Sequence, residues 1–238
     1  MIISHSRRFT FVHIHKAGGT SIEMALDPHL AWNDLILGSS PLGQGINRAY
    51  RTRHGLYKHS SVAEIQKLCG SQYIEEYYLF ALVRNPIHRV CSLYNFVGSS
   101  VRKLEELHKI DLRAPNILTR KNLLKKIPTL NWPATRVFLA SSSFSDFIRD
   151  DNLVREPGFH PQTTRLTCPD TGQLKAEIYK LEEITKSADA MRRRLGIDFE
   201  LVHENKSRVT LIEPRLVSRE DRTYLEEKFS ADFSAFGY

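Results

Sequence analysis

Two short apolar runs, each followed at once by a polar turn and a helical pattern, constrain the fold of this chain most strongly. The first run, Phe9–Ile14, is β-branched and aromatic, and apolar residues resume at helical spacing in Thr20–Leu26. The second run, Tyr77–Val83, is apolar on both faces, as expected of a central strand in a parallel sheet, and a helix is predicted to follow the turn at residues 84–86. Two strand–turn–helix units predict an α/β fold with a central, mainly parallel sheet flanked by helices.

The remaining sequence predicts mainly helices and loops. Residues 38–57 are rich in Gly, Pro and Arg and are predicted to form a loop, whereas residues 99–131 are charged and are predicted to be helical. Ala176–Leu181 is predicted to be an edge strand. Helices are predicted at residues 62–69, closed by Gly70, from residue 86 to about Phe96, at Phe144–Ile148, at Glu182–Leu195, stopped by Gly196, and at Ser218–Phe229.

The chain carries an excess of cations, with a net charge of +7 and a pI of about 9.3. This excess favours an anionic ligand, an acidic polymer or a nucleic acid, or it reflects a basic surface without a specific partner. The three cysteines form no CxxC pair and no zinc-ligand spacing, and their odd number argues against a disulfide framework. Because no apolar run is long enough for a signal peptide or a membrane span, a reducing, cytoplasmic location is expected.

The turn between the first strand and its helix has the composition of an anion-binding site. Gly18 and Gly19 lack a Cβ, so their backbone can come close to a bulky anion, and the N–H groups of a helix N-terminus carry partial positive charge. Thr20 and Ser21 add hydroxyl donors, and Lys16 adds a full charge at the rim. The pattern predicts a phosphate or sulfate cradle. The alternative is a tight strand-to-helix turn with a solvated lysine.

The order of these residues differs from that of the usual phosphate loop. Lys16 precedes both glycines, and the second strand ends at Arg84 rather than at an aspartate that would hold magnesium. A magnesium-dependent kinase or nucleotide triphosphatase is therefore disfavoured, although a P-loop phosphotransferase using ATP and magnesium is kept as an alternative. Arg84, with Arg89 and Ser92 on the following helix, suits a terminal phosphate. The alternative is an Arg84–carboxylate pair with Ser92 on the helix surface.

The two motifs together, FVHIHKAGGTS and LFALVRNPIHRVCSLYNF, resemble those of the carbohydrate-type sulfotransferases, sulfotransferase family 2, which use 3′-phosphoadenosine-5′-phosphosulfate (PAPS). The segments KHSSVAEIQKLCG, GQLKAEIYKLEEITKSADAMRRRLGI, ENKS and YLEEKFSADFSAFGY resemble other parts of the same family. Relative to the family's first motif, His15 replaces the usual proline and Ala17 the usual threonine. The resemblance implies a P-loop-like, three-layer α/β fold and a single sulfotransferase domain over residues 1–238. It also implies PAPS as donor, adenosine 3′,5′-bisphosphate (PAP) as product, and no required metal.

The resemblance also assigns residues to the donor nucleotide. The first motif would grip the 5′-phosphosulfate and the second motif the 3′-phosphate, with help from the Asn-x-Ser turn. The residues so implied are Lys16, Ala17, Gly18, Gly19, Thr20 and Ser21 for the phosphosulfate, Arg84 and Ser92 for the 3′-phosphate, and Asn205 and Ser207 as assisting residues.

The mechanism that the family implies is a one-step, in-line sulfuryl transfer, in which positioning and charge stabilisation supply most of the catalysis. Lys16 is the natural partner for charge that grows on the bridging oxygen. His59 matches the family's histidine before the helix between the motifs and is the first candidate base, with His54 and His15 in reserve. Glu23, one turn into the first helix, is expected to contact the acceptor or a nearby cation.

The acceptor is predicted only as a class: a saccharide, a glycolipid or a small natural product that offers a hydroxyl or an amine. Segments 28–57 and 99–160 are the variable, candidate acceptor-binding parts, and cations cluster in both. The candidates to hold an acidic acceptor are Arg48, Arg51, Arg53, His54 and Lys58, and a second cluster, interpreted as a solvated face, comprises Arg120, Lys121, Lys125 and Lys126. A nucleic-acid-binding protein with a merely structural glycine turn is the third hypothesis. Our preferred interpretation has no nucleic-acid partner and no integral membrane segment, and it specifies no oligomeric state.

Overall fold

The structure is a computed structural model of the 238-residue chain, and it describes residues 1–114, 126–201 and 209–238. The chain divides into two compact units. The first unit comprises residues 1–85, 161–205 and 230–238, and the second comprises residues 86–160 and 206–229. A single sulfotransferase domain over residues 1–238 stays a prediction.

The first unit is built around five strands: β1 (Ile2–Ser4), β2 (Phe9–Val12), β3 (Leu35–Ile36), β4 (Tyr78–Val83) and β5 (Glu177–Lys180). Their order in the sheet is β3-β1-β2-β4-β5. β2 pairs in parallel with β4, and β4 with β5, whereas β1 is antiparallel to both β2 and β3. Four strands therefore run in one direction and β1 runs in the other, which confirms the predicted mainly parallel sheet with an edge strand at β5.

Helices flank this sheet and make up most of the second unit. The α-helices of the described residues are, in chain order, α1 (Gly19–Leu26), α2 (Pro41–His54), α3 (Val62–Cys69), α4 (Ser71–Glu76), α5 (Pro86–His108), α6 (Pro133–Ala140), α7 (Phe144–Arg149), α8 (Thr163–Leu166), α9 (Ile184–Leu195), α10 (Arg219–Lys228) and α11 (Ser230–Phe236). Short 3-10 helices occur at Asp27–His29, Pro128–Asn131, Asp151–Arg155, Pro157–Phe159, Leu181–Glu183 and Pro214–Leu216. Within the three described ranges, no helix is long and apolar enough to cross a membrane.

Each face of the sheet carries its own hydrophobic core, because successive residues of a strand point to opposite sides. On one face, Phe11 and Phe80 belong to a cluster that includes Ile22 of α1 and Met191 of α9. On the other face, Ala81 belongs to a cluster with residues of α3, α8 and α11. Helices therefore cover both faces of the sheet, and the expected three-layer, P-loop-like α/β fold is confirmed.

The start and end signals of α3 act as the sequence predicts. The Ser61 hydroxyl accepts from the backbone N–H of Glu64, and the Glu64 carboxylate accepts from the backbone N–H of Ser61, which is a complete capping box. Gly70 follows the helix with a φ of 88°, a conformation that favours glycine. This cap fixes the residues that immediately precede α3, including the candidate base at position 59.

The prediction that residues 38–57 form a loop is wrong, because most of this segment is the helix α2. Gly43 and Gly45 lower its helix propensity, which favoured the loop interpretation. Stabilising residues at the helix ends compensate for the low helix propensity of these glycines. The Ser40 hydroxyl caps the helix by accepting from the backbone N–H of Gly43, and Pro41 occupies the first helical position. Gly55 ends the helix with a φ of 72°. The arginines of this segment therefore lie on a helix.

Other boundaries also differ from the prediction. Helix α5 extends to His108 instead of ending near Phe96. In the second unit the Tyr94 ring of α5 packs against Phe138 and Phe147, with centroid distances of 5.0 Å to each. This packing stabilises the long helix, because an apolar stripe buried by neighbouring helices supplies more stability than local propensity does. The short strands β1 and β3 and the helix α11 were not predicted.

Candidate active site

The turn after β2 leads directly into α1, as predicted, and it adopts a tight conformation. Lys16 has a φ of 61° and Gly18 a φ of 81°, so two residues of the turn lie in the left-handed region. Gly18 is the N-cap residue of α1, and no side chain of the described residues caps this helix. The first turn of α1 therefore presents backbone N–H groups and the positive end of a helix dipole, as an anion-binding site requires.

The two glycines of the turn are required by packing as well as by backbone conformation. A Cβ on Gly19 would lie 2.5 Å from Cδ2 of His13, and a Cβ on Gly18 would lie 2.8 Å from Cδ1 of Leu181. The clearance at Gly19 is thus filled by the His13 ring. The absence of a Cβ therefore makes room for the His13 and Leu181 side chains, and a close approach of the glycine backbone to an anion stays a prediction.

Ala17, which the resemblance assigns to the cofactor, is fully buried and belongs to the hydrophobic core beneath the turn. Its methyl group packs there in the same cluster as Val12 and Ile14. The Ala17 side chain therefore offers no surface to a ligand. Thr20 and Ser21 lie in the first turn of α1 and are half-buried, so their hydroxyls remain candidates for the phosphosulfate.

The turn after β4 lies beside the turn after β2, because β2 and β4 are adjacent parallel strands whose register pairs Val12 with Ala81. Arg84 follows β4 directly, and its Nη1 atom donates to the Lys16 carbonyl oxygen at 3.5 Å. The two turns therefore meet at the carboxyl ends of the strands. Ligands of open α/β sheets bind at this edge.

Three cations converge around the N-terminus of α1. The Lys58 ammonium lies 3.4 Å from the Thr20 hydroxyl and 3.0 Å from the Ser39 hydroxyl. Burial, reinforced by the positive charges of Arg84 and Lys58, lowers the pKa of the Lys16 ammonium from 10.5 to about 8. Half-buried like charges repel one another, so an anion that neutralises them would stabilise this arrangement.

Three histidines lie together beside this cationic group. The His59 Nδ1 atom is 2.9 Å from the His13 carbonyl oxygen, and since a carbonyl only accepts, Nδ1 carries the proton. The lone pair of neutral His59 is therefore on Nε2. Burial, followed by the charges of His13 and His15, lowers the pKa of the His59 imidazole well below its usual 6.5. His59 is thus neutral at physiological pH and able to accept a proton.

The backbone around His59 is held on two sides. The Ser60 hydroxyl accepts from the backbone N–H of Tyr57 at 2.9 Å. The Arg165 Nη1 atom lies 3.3 Å from both the His59 carbonyl oxygen and the Tyr57 hydroxyl. These contacts fix the loop that carries the candidate base, as a positioned proton acceptor requires.

Glu23 is an internal anion of this site rather than a surface group. Its side chain is 0 % exposed, and Oε1 lies 2.7 Å from Nδ1 of His13 while Oε2 lies 3.8 Å from Nζ of Lys58. Burial acts to raise the pKa of the Glu23 carboxyl, but the charges of His13 and of the N-terminal ammonium, followed by the hydrogen bond from His13 and the charge of Lys58, outweigh it, so the pKa lies below its usual range. His13 itself is neutral, because burial lowers its pKa to about 4.

Glu23 was expected to contact either the acceptor or a nearby cation, and the structure supports only the contact with a cation. Glu23 contacts a nearby cation, Lys58, and it also accepts from the Ser39 backbone N–H at 3.1 Å. Its assignment to the acceptor is corrected, because a fully buried carboxylate with internal partners offers no surface to a substrate.

The cationic candidates on α2 lie in the first unit and are exposed. They are Arg48, Arg51, Arg53 and His54. The Arg51 guanidinium lies 4.9 Å from the centroid of the Tyr57 ring, a cation–π contact beside the candidate base. The sequence contains no acidic residue between Asp34 and Glu64, so α2 and the following loop carry positive charge only.

The remaining candidates lie elsewhere. Ser92 is half-buried on α5 in the second unit, and its assignment to the 3′-phosphate stays a prediction. Arg89 of the same helix is 1 % exposed and donates to the carbonyl oxygens of Gly158 and His160 at 2.6 Å each, so it has a structural role. Asn205 and Ser207 lie outside the described residues, as do Arg120, Lys121 and Lys125 of the second cationic cluster.

Sequence analysis missed three residues that hold the site together: His13, Gln162 and Arg165. His13 stands inside an apolar run, and a buried polar side chain in such a position implies a partner. Gln162 and Arg165 carry no local signal, because they contact Arg84 and His59 across 78 and 106 positions of sequence. No cluster of three or more His, Cys, Asp or Glu side chains that could hold a metal ion occurs among the described residues.

The whole chain, residues 1–238, matches the family model described as the sulfotransferase family, of the family 2 type. No match was found to a curated protein or to a solved structure. The match covers both motif turns, the histidine cluster and the helix that carries the arginines. This match shows that the chain belongs to sulfotransferase family 2 and that its general activity is sulfuryl transfer.

Proposed function

We propose that this protein transfers the sulfuryl group of PAPS to a hydroxyl or amine of an acceptor, with His59 as the base. The observation that carries the proposal is the convergence of Lys16, Lys58 and Arg84 at the N-terminus of α1. Clustered, partly buried cations at a helix N-terminus are suited to a ligand with several phosphate or sulfate groups.

The donor residues follow from the two turns. Lys16, the backbone of residues 17–19 and the hydroxyls of Thr20 and Ser21 are suited to the 5′-phosphosulfate. Arg84 is suited to the 3′-phosphate, and Ser92, Asn205 and Ser207 are proposed to assist it. PAPS, when bound there, supplies the activated sulfuryl group.

The protein's own groups then act on the two ends of the transfer. A new bond forms between the acceptor oxygen or nitrogen and sulfur, while the bond between sulfur and the bridging phosphate oxygen breaks. His59 Nε2 takes the acceptor's proton, because Nδ1 is committed to the His13 carbonyl oxygen. The Lys16 ammonium stabilises the negative charge that develops on the bridging oxygen. This assignment makes PAP and the sulfated acceptor the products.

The acceptor proposed here is a saccharide, glycolipid or small natural product that carries its own negative charge. The support is the exposed, acid-free cationic face of α2 and the loop that follows it. Replacing Arg48, Arg51 and Arg53 together by glutamine should raise KM for an anionic saccharide and leave KM for a neutral one unchanged. The matched control is Arg193→Gln on the exposed end of α9.

The proposed reaction is tested by measuring the labelled product formed from sulfur-labelled PAPS with an anionic acceptor and with a neutral acceptor of similar structure. Labelled product that is lost in His59→Ala supports the proposal, whereas labelled product formed equally by that variant removes His59 as the base. The two alternatives make different predictions. A phosphotransferase requires ATP and magnesium, and a nucleic-acid-binding protein shows affinity for nucleic acid that falls steeply with salt.

A further inference from the structure

We propose that Gln162, held by Asp232, is a positioning residue that aims Arg84 at the 3′-phosphate of the donor. The inference rests on the proposed function, because it assumes that Arg84 reads this phosphate. Nothing in the local sequence marks Gln162, which is brought to Arg84 across 78 positions of sequence.

Gln162 binds both backbone groups of Arg84. Its Oε1 atom accepts from the Arg84 N–H at 3.0 Å, and its Nε2 atom donates to the Arg84 carbonyl oxygen at 2.8 Å. The side chain is buried, with only 1 % of the residue exposed. Sheet pairing ends one residue earlier, at Val83 opposite Lys180, so Gln162 supplies the two hydrogen bonds that a further strand residue would have made.

Asp232 fixes the orientation of this amide. Its Oδ2 atom accepts from the backbone N–H of Gln162 at 2.8 Å and from Nε2 of Gln162 at 3.2 Å. Its Oδ1 atom accepts from the backbone N–H and the hydroxyl of Thr163 at 2.9 and 3.0 Å. Because a carboxylate only accepts, the nitrogen of the Gln162 amide must face Asp232, and its oxygen must face the Arg84 N–H. The amide has one orientation that satisfies all its neighbours.

The next residue of the turn is held as well. The backbone N–H of Asn85 donates to Oε1 of Glu182 at 2.9 Å, and Oε2 of Glu182 accepts from the Tyr238 hydroxyl at 2.9 Å. Arg84 is therefore held by a buried side chain and Asn85 by an exposed one, both from distant parts of the first unit. A fixed backbone sets the direction of the Cα–Cβ bond, and a pre-oriented side chain loses less entropy when it binds.

A purely structural role for Gln162 makes a different prediction. If the amide only satisfies the end of β4, its loss weakens folding and affects every nucleotide equally. If it aims Arg84, its loss weakens PAP, which carries the 3′-phosphate, and spares adenosine 5′-monophosphate, which lacks it. The ratio of the two dissociation constants therefore separates the roles.

The test measures both dissociation constants by calorimetry in two variants. Gln162→Glu replaces the donor by an oxygen that faces Asp232 and the Arg84 carbonyl oxygen, and Gln162→Met removes the hydrogen bonds without adding charge. Both variants should raise the dissociation constant of PAP about tenfold, which corresponds to the loss of one charge-assisted hydrogen bond. The dissociation constant of adenosine 5′-monophosphate should stay unchanged. The control is Thr163→Val, which removes one hydrogen bond to Asp232 and no contact to Arg84 and should leave the ratio unchanged.

The same measurement in Arg84→Ala separates this inference from the proposed function. Arg84→Ala should itself abolish the preference for PAP, and adding Gln162→Met to it should then have no further effect on the ratio. If Arg84→Ala still prefers PAP to adenosine 5′-monophosphate, Arg84 does not bind the 3′-phosphate, and the inference about Gln162 is overturned as well. If Arg84→Ala loses the preference while both Gln162 variants keep it, or weaken both nucleotides alike, only the inference is overturned.

Discussion

The ring of His15 is stacked on the ring of His59, with centroids 3.6 Å apart and planes 24° from parallel. His15 occupies the position at which the family motif usually has proline, so this chain departs from the motif directly against its candidate base. A positive charge on His15 disfavours a second positive charge on His59, and the charge of His15 contributes to the lowered pKa of the His59 imidazole after burial and the charge of His13. The stack also restricts the rotation of the His59 ring.

We expect His15→Pro to move the acid limb of the turnover–pH profile to higher pH. Removing the neighbouring charge raises the pKa of the His59 imidazole toward its usual 6.5, so His59 becomes protonated, and inactive as a base, at a higher pH than in the wild type. Burial and the charges of His13 and Lys58 remain, so the shift is partial. The measurement is kcat as a function of pH at saturating donor.

His15→Phe is the matched control, because it keeps a stacked ring and removes the charge. It should show the same shift of the acid limb as His15→Pro but a higher plateau of kcat, since the ring that orients His59 is retained. An acid limb unchanged in both variants would show that His15 does not influence the base.

His59→Ala should lower kcat by about 10²-fold or more, the usual contribution of a general base. Affinity for PAP should stay within about twofold of the wild type, because the nucleotide is assigned to the two turns and not to His59. The measurement is turnover and PAP affinity on the same purified protein. His108→Ala, at the exposed end of α5, is the control and should keep wild-type kcat.

A collapse of PAP affinity with normal turnover at saturation would instead make His59 a nucleotide-binding or structural residue. His54 on α2 and His15 would then become the candidates for the base.

Affinity for PAP should fall as the pH rises above about 8, the pKa to which burial and the charges of Arg84 and Lys58 bring the Lys16 ammonium. An anionic nucleotide binds the protonated form and raises this pKa again, so binding at such pH takes up a proton from solution. Calorimetry in buffers of different ionisation enthalpy measures the uptake. Lys16→Arg should bind without uptake, because arginine stays charged, and uptake that persists in this variant would assign the proton to another group.

Lys16→Ala should reduce kcat by about 10²–10³-fold, by analogy with the removal of one donor to a developing oxyanion. Its PAP affinity should fall too, since the same ammonium contributes to nucleotide binding in our assignment. Turnover near that of the wild type at saturating donor would contradict the role given to Lys16.

Glu23→Gln should destabilise the protein by about 3–5 kcal/mol at neutral pH, because it leaves the buried Met1 ammonium and the half-buried Lys58 ammonium without their counter-charge. The pKa of the Glu23 carboxyl is lowered in the folded protein, so its contribution is fully present above its unfolded value of about 4.5 and is lost as the pH falls below it. The difference in free energy of unfolding between the wild type and this variant should therefore shrink in acid.

The control for Glu23 is the surface pair of Glu75 with Lys175, in which the glutamate side chain is 64 % exposed and the charges are 3.0 Å apart. Glu75→Gln should cost less than about 1 kcal/mol at any pH. Equal losses in the two variants, measured by chemical denaturation, would contradict the buried role of Glu23.

The parts of the fold that the sequence predicted are those with local signals. β2, β4, α1, α3 and α9 combine clear periodicity with a turn, a cap or a terminal glycine close in sequence. Helix α2 was missed because the segment was interpreted from its Gly, Pro and Arg content, and the cap at Ser40 was not considered. β1 and β3 contain only three and two residues, too few to show a period, and they are stabilised by pairing with each other and with β2.

The residues of the candidate site likewise fall into those with a signal in the nearby sequence and those placed by long-range contacts. Lys16 and Arg84 stand in recognisable turns, whereas His59 was selected through the resemblance to the sulfotransferase family. The groups that set their protonation and direction come from elsewhere in the chain: Gln162 holds Arg84, and Glu23, through His13, supports the loop of His59. Such contacts arise only when the chain is folded, and no local pattern predicts them.

Selective stabilisation by nucleotides distinguishes a PAPS-dependent sulfotransferase from an ATP-dependent phosphotransferase. Thermal unfolding is measured with PAP and with ATP–magnesium, each over a concentration series, on the wild type and on Arg84→Ala. If PAPS is the donor, PAP should stabilise the wild type by about 2.7 kcal/mol at 100 times its dissociation constant. ATP–magnesium should stabilise the wild type less at equal concentration, and Arg84→Ala should lose this difference. Stronger stabilisation by ATP–magnesium than by PAP would rule out PAPS as the preferred donor.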